Sequence, residues 1–165
     1  MRYLAIAVSG LVSLAAAAAA AAVTPPNPKD LTQGKWELVL EKSSFCAEAP
    51  QKSAREIVES GWGLITAHAT GVNAKGKPTD GWYVWRYDGQ KYPADINRVA
   101  NEYITWKLIN PSRVEFTHYS KEDQPTQLLV RTVSSDGQTM TQTTNFVGKK
   151  KDGKDCMDSQ VFQRR

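Results

Sequence analysis

The sequence contains few of the residues from which catalytic and metal sites are usually built. Its 165 residues include two histidines, His68 and His118, and two cysteines. Each histidine stands alone in its segment, without a second histidine or a carboxylate at a typical ligand spacing, so we predict no metal site. No serine lies in a nucleophile elbow, and no glycine-rich loop is present to hold phosphates. We therefore predict no catalytic site and no cofactor, with an enzyme of dispersed catalytic residues as the alternative.

A strong excess of one charge is also missing. The chain has 21 basic and 17 acidic residues, interspersed, and a net charge of +4. Nucleic-acid-binding domains usually concentrate more positive charge on one face, so we predict no nucleic-acid partner. The lysine-rich segment 149–154 is interpreted as a solvated hairpin tip, and weak attraction to an anionic membrane surface is the alternative.

Long hydrophobic runs are confined to the start of the chain. Met1–Tyr3 is a short basic segment, and Leu4–Ala22 is alanine-rich and apolar. This arrangement is typical of a cleaved signal peptide, and no basic stop signal follows it. We predict a signal peptide at 1–22, a proline-rich linker at 23–33 and one domain at 34–165. A membrane anchor is the alternative; after cleavage we expect a periplasmic or secreted monomer without stable membrane insertion.

The two cysteines are Cys46, near the start of the predicted domain, and Cys156, near its end. An exported chain reaches an oxidising compartment, and two cysteines allow one intramolecular pairing, so we predict a Cys46–Cys156 disulfide. If the first and last strands pair antiparallel through this link, Trp36 lies opposite Arg164 and Arg165. The disulfide therefore predicts that the two ends of the domain meet.

The rest of the chain alternates apolar and polar residues in short runs. Turn pairs such as Asp88-Gly89, Asp136-Gly137 and Asp152-Gly153 separate these runs. No window shows an amphipathic helix period over three turns. The pattern predicts an all-β fold, an up-and-down antiparallel β-barrel of about eight to ten strands. Residues 90–100 could form a helical turn or an irregular loop, and their conformation stays open.

The opening segment Gly34-Lys35-Trp36-Glu37-Leu38, with Ser44-Phe45 after it, resembles the lipocalin and fatty-acid-binding barrels. In those families the tryptophan packs under a basic residue from near the closing end of the barrel, which implies Trp36 under Arg164 or Arg165. Unlike the fatty-acid-binding group, this chain has no room for a helical lid between Cys46 and Ser53. The resemblance implies a lipocalin-like barrel and a small ligand.

The chain also resembles small exported bacterial proteins of unknown function. The resemblance is carried by Tyr87-Asp88-Gly89 with Tyr92-Pro93, and by the segment Val133–Met140. It spans roughly Gly34 to Arg165 and implies the same barrel fold.

The aromatic segment 82–87 predicts a wall of the barrel interior. Alternation directs Tyr83, Trp85 and Tyr87 inward and Arg86 into solvent. Trp106 and Phe116 continue the same wall on later strands. We predict that these five aromatic residues either bind a small apolar or amphipathic ligand or simply fill the core.

Arg131 lies on the same face of its strand as Leu129 and Val133, whereas Leu128 and Val130 form an equally apolar opposite face. A surface position is the simpler interpretation. An inward Arg131 would need an anion, either a protein carboxylate or an acidic ligand such as a fatty acid. Arg131 is therefore included among the predicted ligand-binding residues.

An interaction module with a filled core is the main alternative to a ligand-binding barrel. Such a module would use exposed tips, namely Trp62 and the lysine-rich hairpin at 149–154, to contact another envelope protein. A continuous cavity would favour ligand binding, and a solid core would favour interaction.

Overall fold

The computed structural model describes residues 29–96 and 99–165. Within these residues, ten strands form a closed antiparallel barrel in which each strand pairs with its neighbours in sequence and β1 pairs with β10. The strands are β1 (Gly34–Leu38), β2 (Lys52–Glu59), β3 (Ile65–Val72), β4 (Pro78–Trp85), β5 (Lys91–Ile96), β6 (Val99–Asn110), β7 (Arg113–Tyr119), β8 (Pro125–Val133), β9 (Thr139–Lys151) and β10 (Lys154–Arg164). The predicted all-β, up-and-down barrel is confirmed.

A 3₁₀ turn, Leu40–Lys42, follows β1. No helix in the described ranges is long and apolar enough to span a membrane. The predicted signal peptide, residues 1–22, and the first part of the predicted linker lie outside the described residues.

The stretch left open in the sequence contains a strand. β5 (Lys91–Ile96) pairs with β4 through Tyr83 opposite Ala94, and with β6 through Tyr92 opposite Ile104. Pro93 has no N–H to donate and interrupts the local strand pattern, which is why alternation does not reveal β5. Its two neighbouring strands supply the pairing that holds it in place.

Tight turns follow from residues that accept positive φ. At the β9–β10 turn, Lys151 pairs with Lys154, and the two residues between them, Asp152 and Gly153, have φ of 52° and 75°. Positive φ at both central residues defines a type I′ hairpin turn, which matches the right-handed twist of the flanking strands. The lysine-rich segment is therefore an exposed hairpin tip.

Barrel closure depends on Arg164. Trp36 pairs with Arg164 across β1 and β10, and the guanidinium carbon lies 4.2 Å from the centre of a Trp36 ring. The same guanidinium donates hydrogen bonds to the backbone carbonyls of Leu31 (2.8 Å), Gln33 (2.8 Å) and Gly137 (2.6 Å). Trp36 itself is 1% exposed.

Gly34 leaves room for this arrangement. Its φ is +130°, and a side-chain carbon at this position would collide with Nη1 of Arg164. A glycine two residues before the tryptophan thus has a physical reason: the arginine occupies the space that a side chain would fill.

Cys46 and Cys156 form a disulfide with a Cα–Cα distance of 5.4 Å. It links the connection after β1 to the start of β10. Cys46 is also held by its backbone N–H, which donates to Oδ1 of Asp158 at 2.7 Å. Next to the link, Ser44 and Ser159 exchange backbone hydrogen bonds of 2.8 and 2.9 Å. The link therefore supports the β1–β10 seam from the end opposite Arg164.

Strand directions divide the barrel into two ends. We call the end that carries residues 30–33 and Arg165 the terminal end, and the end that carries the disulfide and the β9–β10 turn the disulfide end. Large side chains with exposure below 2% fill the terminal half, including Trp36, Ile57, Trp85, Met140 and Phe162. The interior side chains nearer the disulfide end are more polar.

Residues 30–33, assigned to the linker by the sequence, pack across the terminal end. Asp30 is 3% exposed and Thr32 is 1% exposed. The carboxylate of Asp30 accepts hydrogen bonds from the backbone N–H of Thr32 (2.8 Å) and from its hydroxyl (2.9 Å). Trp36 Nε1 donates to the carbonyl of Thr32 at 2.7 Å. This segment closes the terminal end of the interior.

Candidate ligand-binding site

An aromatic stack lies at the centre of the barrel. Trp85, Trp106 and Phe116 are nearly parallel, with ring centroids 4.0 Å apart for the first pair and 4.1 Å apart for the second. All three are buried. Because they come from β4, β6 and β7, their contact depends on the inward phase of all three strands. Arg131 lies over two rings of the stack, Trp106 and Phe116.

Two arginines reach into the polar half. Arg131 on β8 is 6% exposed, and Arg55 on β2 is partly buried. Arg131 lies over Phe116, with its guanidinium carbon 4.7 Å from the ring centroid, and Arg55 lies 4.4 Å over Phe162. The surface position that the sequence favoured for Arg131 is therefore wrong. The face of β8 that carries Leu129 and Arg131 is the buried one.

One glutamine joins the two arginines. Oε1 of Gln142 accepts hydrogen bonds from Nη1 of Arg55 (2.5 Å) and from Nε of Arg131 (2.8 Å). Gln160 accepts a further hydrogen bond from Nη2 of Arg55 at 3.1 Å. Both glutamine side chains are neutral, so they satisfy donors without neutralising either charge.

Within the described ranges, no carboxylate oxygen lies within 4.0 Å of either guanidinium. Two buried donors, Nε of Arg55 and Nη1 of Arg131, have no hydrogen-bond partner. Burial, reinforced by the charge of Arg131, lowers the pKa of Arg55 to about 9, and burial lowers the pKa of Arg131 to about 10. Both arginines are still protonated at neutral pH. They form a pair of positive charges in the barrel interior, of which Arg131 is buried and Arg55 partly buried.

A cavity of about 180 Å³ adjoins the two arginines and is partly open to solvent. Its apolar lining consists of Ala67, Ala69, Trp106, Phe116, Leu129 and Phe146. Its polar lining consists of Arg55, Tyr83, His118, Gln127, Arg131, Gln142, Thr144, Asp158 and Gln160. The cavity thus combines two cations and one carboxylate, that of Asp158, with small and aromatic apolar groups, and the guanidinium of Arg131 lies over Trp106 and Phe116. A net positive charge beside apolar surface suits an amphipathic anion.

The predicted ligand-binding residues separate into two groups. Tyr83, Trp106, Phe116 and Arg131 line the cavity, whereas Trp85 and Tyr87 are not among its lining residues. Tyr87 instead donates a hydrogen bond to Asp30 at the terminal end. Burial, together with the Asp30 carboxylate, raises the pKa of Tyr87. Tyr87 is therefore part of the packing that closes that end.

Seven polar lining residues were not among the predicted ligand-binding residues, and three of them, Arg55, Gln142 and Gln160, form one hydrogen-bonded group. Arg55 shares its strand face with buried Ile57, and Gln142 lies between buried Met140 and Thr144 on the inward face of β9. A polar residue in the inward phase of a strand is the signal that could have found them. Arg131 was the one residue predicted from this signal.

The two histidines do not meet. His118 is buried on β7 and lines the cavity, with Nδ1 3.9 Å from Oε2 of Glu102. His68 lies on the outer face, stacked on Trp82 at 4.1 Å and with Nε2 3.2 Å from Oδ2 of Asp80. Among the described residues, no group of three potential metal ligands comes together.

Comparison with known proteins bears on the fold alone. Protein-family models and curated proteins give no match. Among solved structures, the chain is similar to a point mutant of the fluorescent protein UnaG, with a TM-score of 0.60 and 10% identity over 82% of this chain and 96% of that one. It is also similar to As-p18, an extracellular fatty acid binding protein, with a TM-score of 0.55 and 12% identity over 83% of this chain and 98% of that one.

A luciferase domain from the dinoflagellate Lingulodinium polyedrum gives a TM-score of 0.53 and 14% identity, over 83% of this chain and 43% of that one. These similarities confirm the predicted resemblance in fold to fatty-acid-binding barrels. Identities this low carry the fold and no function.

Proposed function

We propose that this protein is an exported binding protein whose barrel holds a small amphipathic ligand with an anionic head group. The observation that carries the proposal is the pair of arginines, Arg55 and Arg131, which share Gln142 and have no carboxylate partner within the described residues. A buried cation without an anion is costly, and a bound carboxylate would neutralise it.

The rest of the cavity supports the same ligand class. Trp106, Phe116 and Leu129 offer apolar contacts next to the guanidinium of Arg131. The fold similarity to As-p18, an extracellular fatty acid binding protein, also supports an acidic amphipathic ligand. The head group would lie against the two arginines, and the apolar part would lie against the aromatic side chains.

Titration with aliphatic and aromatic carboxylic acids tests the proposal, with tryptophan emission as the signal because Trp106 lines the cavity. We expect saturable binding of at least one acid with a Kd below about 1 mM, which corresponds to a binding free energy more favourable than roughly −4 kcal/mol. Arg131→Met and Arg55→Met should each weaken it by about 10- to 100-fold, since a hydrogen bond to a charged group contributes about 1.5 to 3 kcal/mol.

Arg86→Met is the matched control, because Arg86 is exposed on the outer face. It should leave the affinity unchanged. Folding of each variant is checked by near-ultraviolet circular dichroism. The proposal fails if no acid binds to folded protein, or if Arg131→Met binds as tightly as the wild type.

Export and a monomeric state are part of the proposal. The Cys46–Cys156 disulfide supports export, because disulfides persist in oxidising compartments. Size-exclusion chromatography with light scattering tests the monomer, and non-reducing peptide mapping of protein isolated from cells tests the compartment.

An interaction module remains the second candidate function. Trp62, at the turn between β2 and β3, is 95% exposed with a positive φ of 56°. An exposed tryptophan at a strained turn position favours a partner contact. Photo-cross-linking from position 62 in cells, with exposed Thr70 as the control position, tests this candidate: capture of one defined protein from position 62 alone would support it.

A further inference from the structure

We infer that the ligand is a compact monoanion, a short-chain or single-ring carboxylic acid, and that long-chain fatty acids are not its natural class. This inference rests on the proposed function, since it specifies the size and charge of the ligand at the same site. It follows from the cavity volume, from the side chains that bound the cavity, and from the charged groups that line it.

The volume sets the size. The cavity measures about 180 Å³. A protein cavity of about 150 Å³ holds benzene, whereas pockets for drug-sized ligands measure about 300 to 1,000 Å³. The available space therefore matches one ring or a short chain.

The described residues of the terminal half are closely packed. Trp85 and Phe162 are 0% exposed and Trp36 is 1% exposed, and residues 30–33 cover the end beyond them. The stacked rings of Trp85 and Trp106, 4.0 Å apart, leave no gap for a chain. A long tail would have to leave through the disulfide end.

Two small residues and one large residue shape the cavity. Ala67 and Ala69 on β3 leave space that larger side chains would fill. Phe146, the lining residue of β9 nearest the disulfide end, pairs with Gln127 of β8 and narrows that side. A tail beyond Phe146 would lie in water and would add no apolar burial.

The charged groups that line the cavity set the charge of the ligand. Arg55 and Arg131 contribute two positive charges, which Gln142 holds close together through one oxygen. The carboxylate of Asp158 contributes one negative charge, so one monoanion balances the remainder. One carboxylate has two oxygens, so a single acid can supply one acceptor to each arginine. Two such acids would not fit in the same volume.

Isothermal titration of the exported protein with straight-chain acids from butanoate to hexadecanoate, and with benzoate, tests the inference. We expect affinity to rise about fourfold per methylene while the cavity fills, and then to stay constant as the chain grows longer. Benzoate should bind, and neutral benzamide should bind at least about tenfold more weakly.

Two cavity variants sharpen the test. Ala69→Leu should abolish binding of hexanoate and benzoate, whereas Ala54→Leu, the same change on the outer face of β2, should not. Phe146→Ala should move the plateau to longer chains. The folding of each variant is checked by its unfolding midpoint.

The outcomes separate the two proposals. Affinity that keeps rising to hexadecanoate, with no binding of benzoate, overturns the compact-ligand inference and leaves the proposed function in place. Benzamide that binds as well as benzoate overturns the anionic head group. A folded protein that binds no acid of any length overturns the proposed function itself. The inference is supported if affinity stops rising at a short chain length in the wild type and if, among the variants, only Phe146→Ala moves that limit to longer chains.

Discussion

His118 lies inside the barrel beside Arg131, and burial together with that neighbouring charge lowers its pKa from 6.5 to about 4. Glu102 lies 3.9 Å from its Nδ1, and Asp158 lines the same cavity. Between pH 6.5 and pH 4 the unfolded chain binds a proton at His118 and the folded barrel does not. Acid therefore favours unfolding through this residue.

We predict that replacing His118 by glutamine reduces the loss of stability in acid. The difference between the free energies of unfolding at pH 7 and pH 4.5 should be roughly 2 to 3 kcal/mol smaller in His118→Gln than in the wild type. Urea unfolding of both proteins at the two pH values measures it. His68→Gln reports the effect of removing a histidine from the outer face. Equal pH dependence of the wild type and His118→Gln would contradict the prediction.

Arg131 shows where alternation stops being informative for a single residue. Leu128 and Leu129, or Val130 and Val133, make either face of β8 look buried. The choice is made by pairing: Leu129 lies opposite Phe116 on one side and Thr144 on the other, both inward. The register of β8 with its neighbouring strands is not encoded locally. The sequence therefore identified Arg131 as a candidate residue, but it could not decide whether its side chain faces the interior or the solvent.

Between elements, the pairing of β1 with β10 closes the barrel. Arg164 covers the Trp36 ring and donates to three backbone carbonyls, those of Leu31, Gln33 and Gly137. Those carbonyls belong to the N-terminal segment and to the β8–β9 turn. One side chain thus joins three separate segments of the chain.

We predict that Arg164→Met lowers the free energy of unfolding by about 2 to 4 kcal/mol, because it removes the cation over Trp36 and leaves carbonyls without donors. Trp36→Ala should cost about 3 to 5 kcal/mol. Arg165→Met is the matched control, since Arg165 pairs with Glu37 at the surface, where solvent screens the ion pair, and it should contribute far less than Arg164. Urea unfolding measures all three. Similar losses for Arg164→Met and Arg165→Met would remove Arg164 from its closing role.

The elements themselves were largely readable from the sequence. β4, β6 and β7 alternate clearly, and their inward residues, among them Trp85, Trp106 and Phe116, are the buried ones. β5 was not readable, because Pro93 interrupts it and only its neighbours define it. A strand with one apolar face can be predicted from its own residues. A short strand such as β5 is defined by its pairing with neighbouring strands, which its own residues do not reveal.

Across the whole molecule, the disulfide connects residues 110 positions apart in sequence. A link over that length restricts the unfolded chain and, on the chain-entropy account, stabilises the fold by about 4 to 5 kcal/mol. Its position at the disulfide end complements Arg164 at the terminal end. The β1–β10 seam, with only three paired residues on each strand, is thereby held at both ends.

We predict that the double variant Cys46→Ser with Cys156→Ser lowers the free energy of unfolding by about 4 to 5 kcal/mol, measured by urea unfolding. Adding a reductant to the wild type should reproduce the loss, and adding it to the double variant should change nothing. Equal stability of the wild type with and without reductant would show that the link does not restrict the unfolded chain.

The candidate site was predictable only in part at this scale. Its aromatic side follows from strand phase, but its polar side depends on Arg55, Gln142 and Gln160 converging from β2, β9 and β10. β2 is far from β9 and β10 in sequence, and closure of the barrel brings Arg55 to the two glutamines of that hairpin. Contacts between such residues cannot be predicted from the alternation of apolar and polar residues within one strand.

The pairing of the first strand with the last also sets the timing of maturation. During synthesis β1 is made long before β10. One edge of β1 therefore stays unpaired until the segment around Arg164 has been made. Pairings between distant segments form slowly, and an open strand edge recruits wrong partners while it waits. A chain that stops within β9 can pair each strand from β1 to β9 with the next one and still leave both β1 and β9 with a free edge. β10 pairs with both β1 and β9, so only a chain that includes β10 covers both open edges. Incomplete chains keep these edges exposed and can aggregate through them.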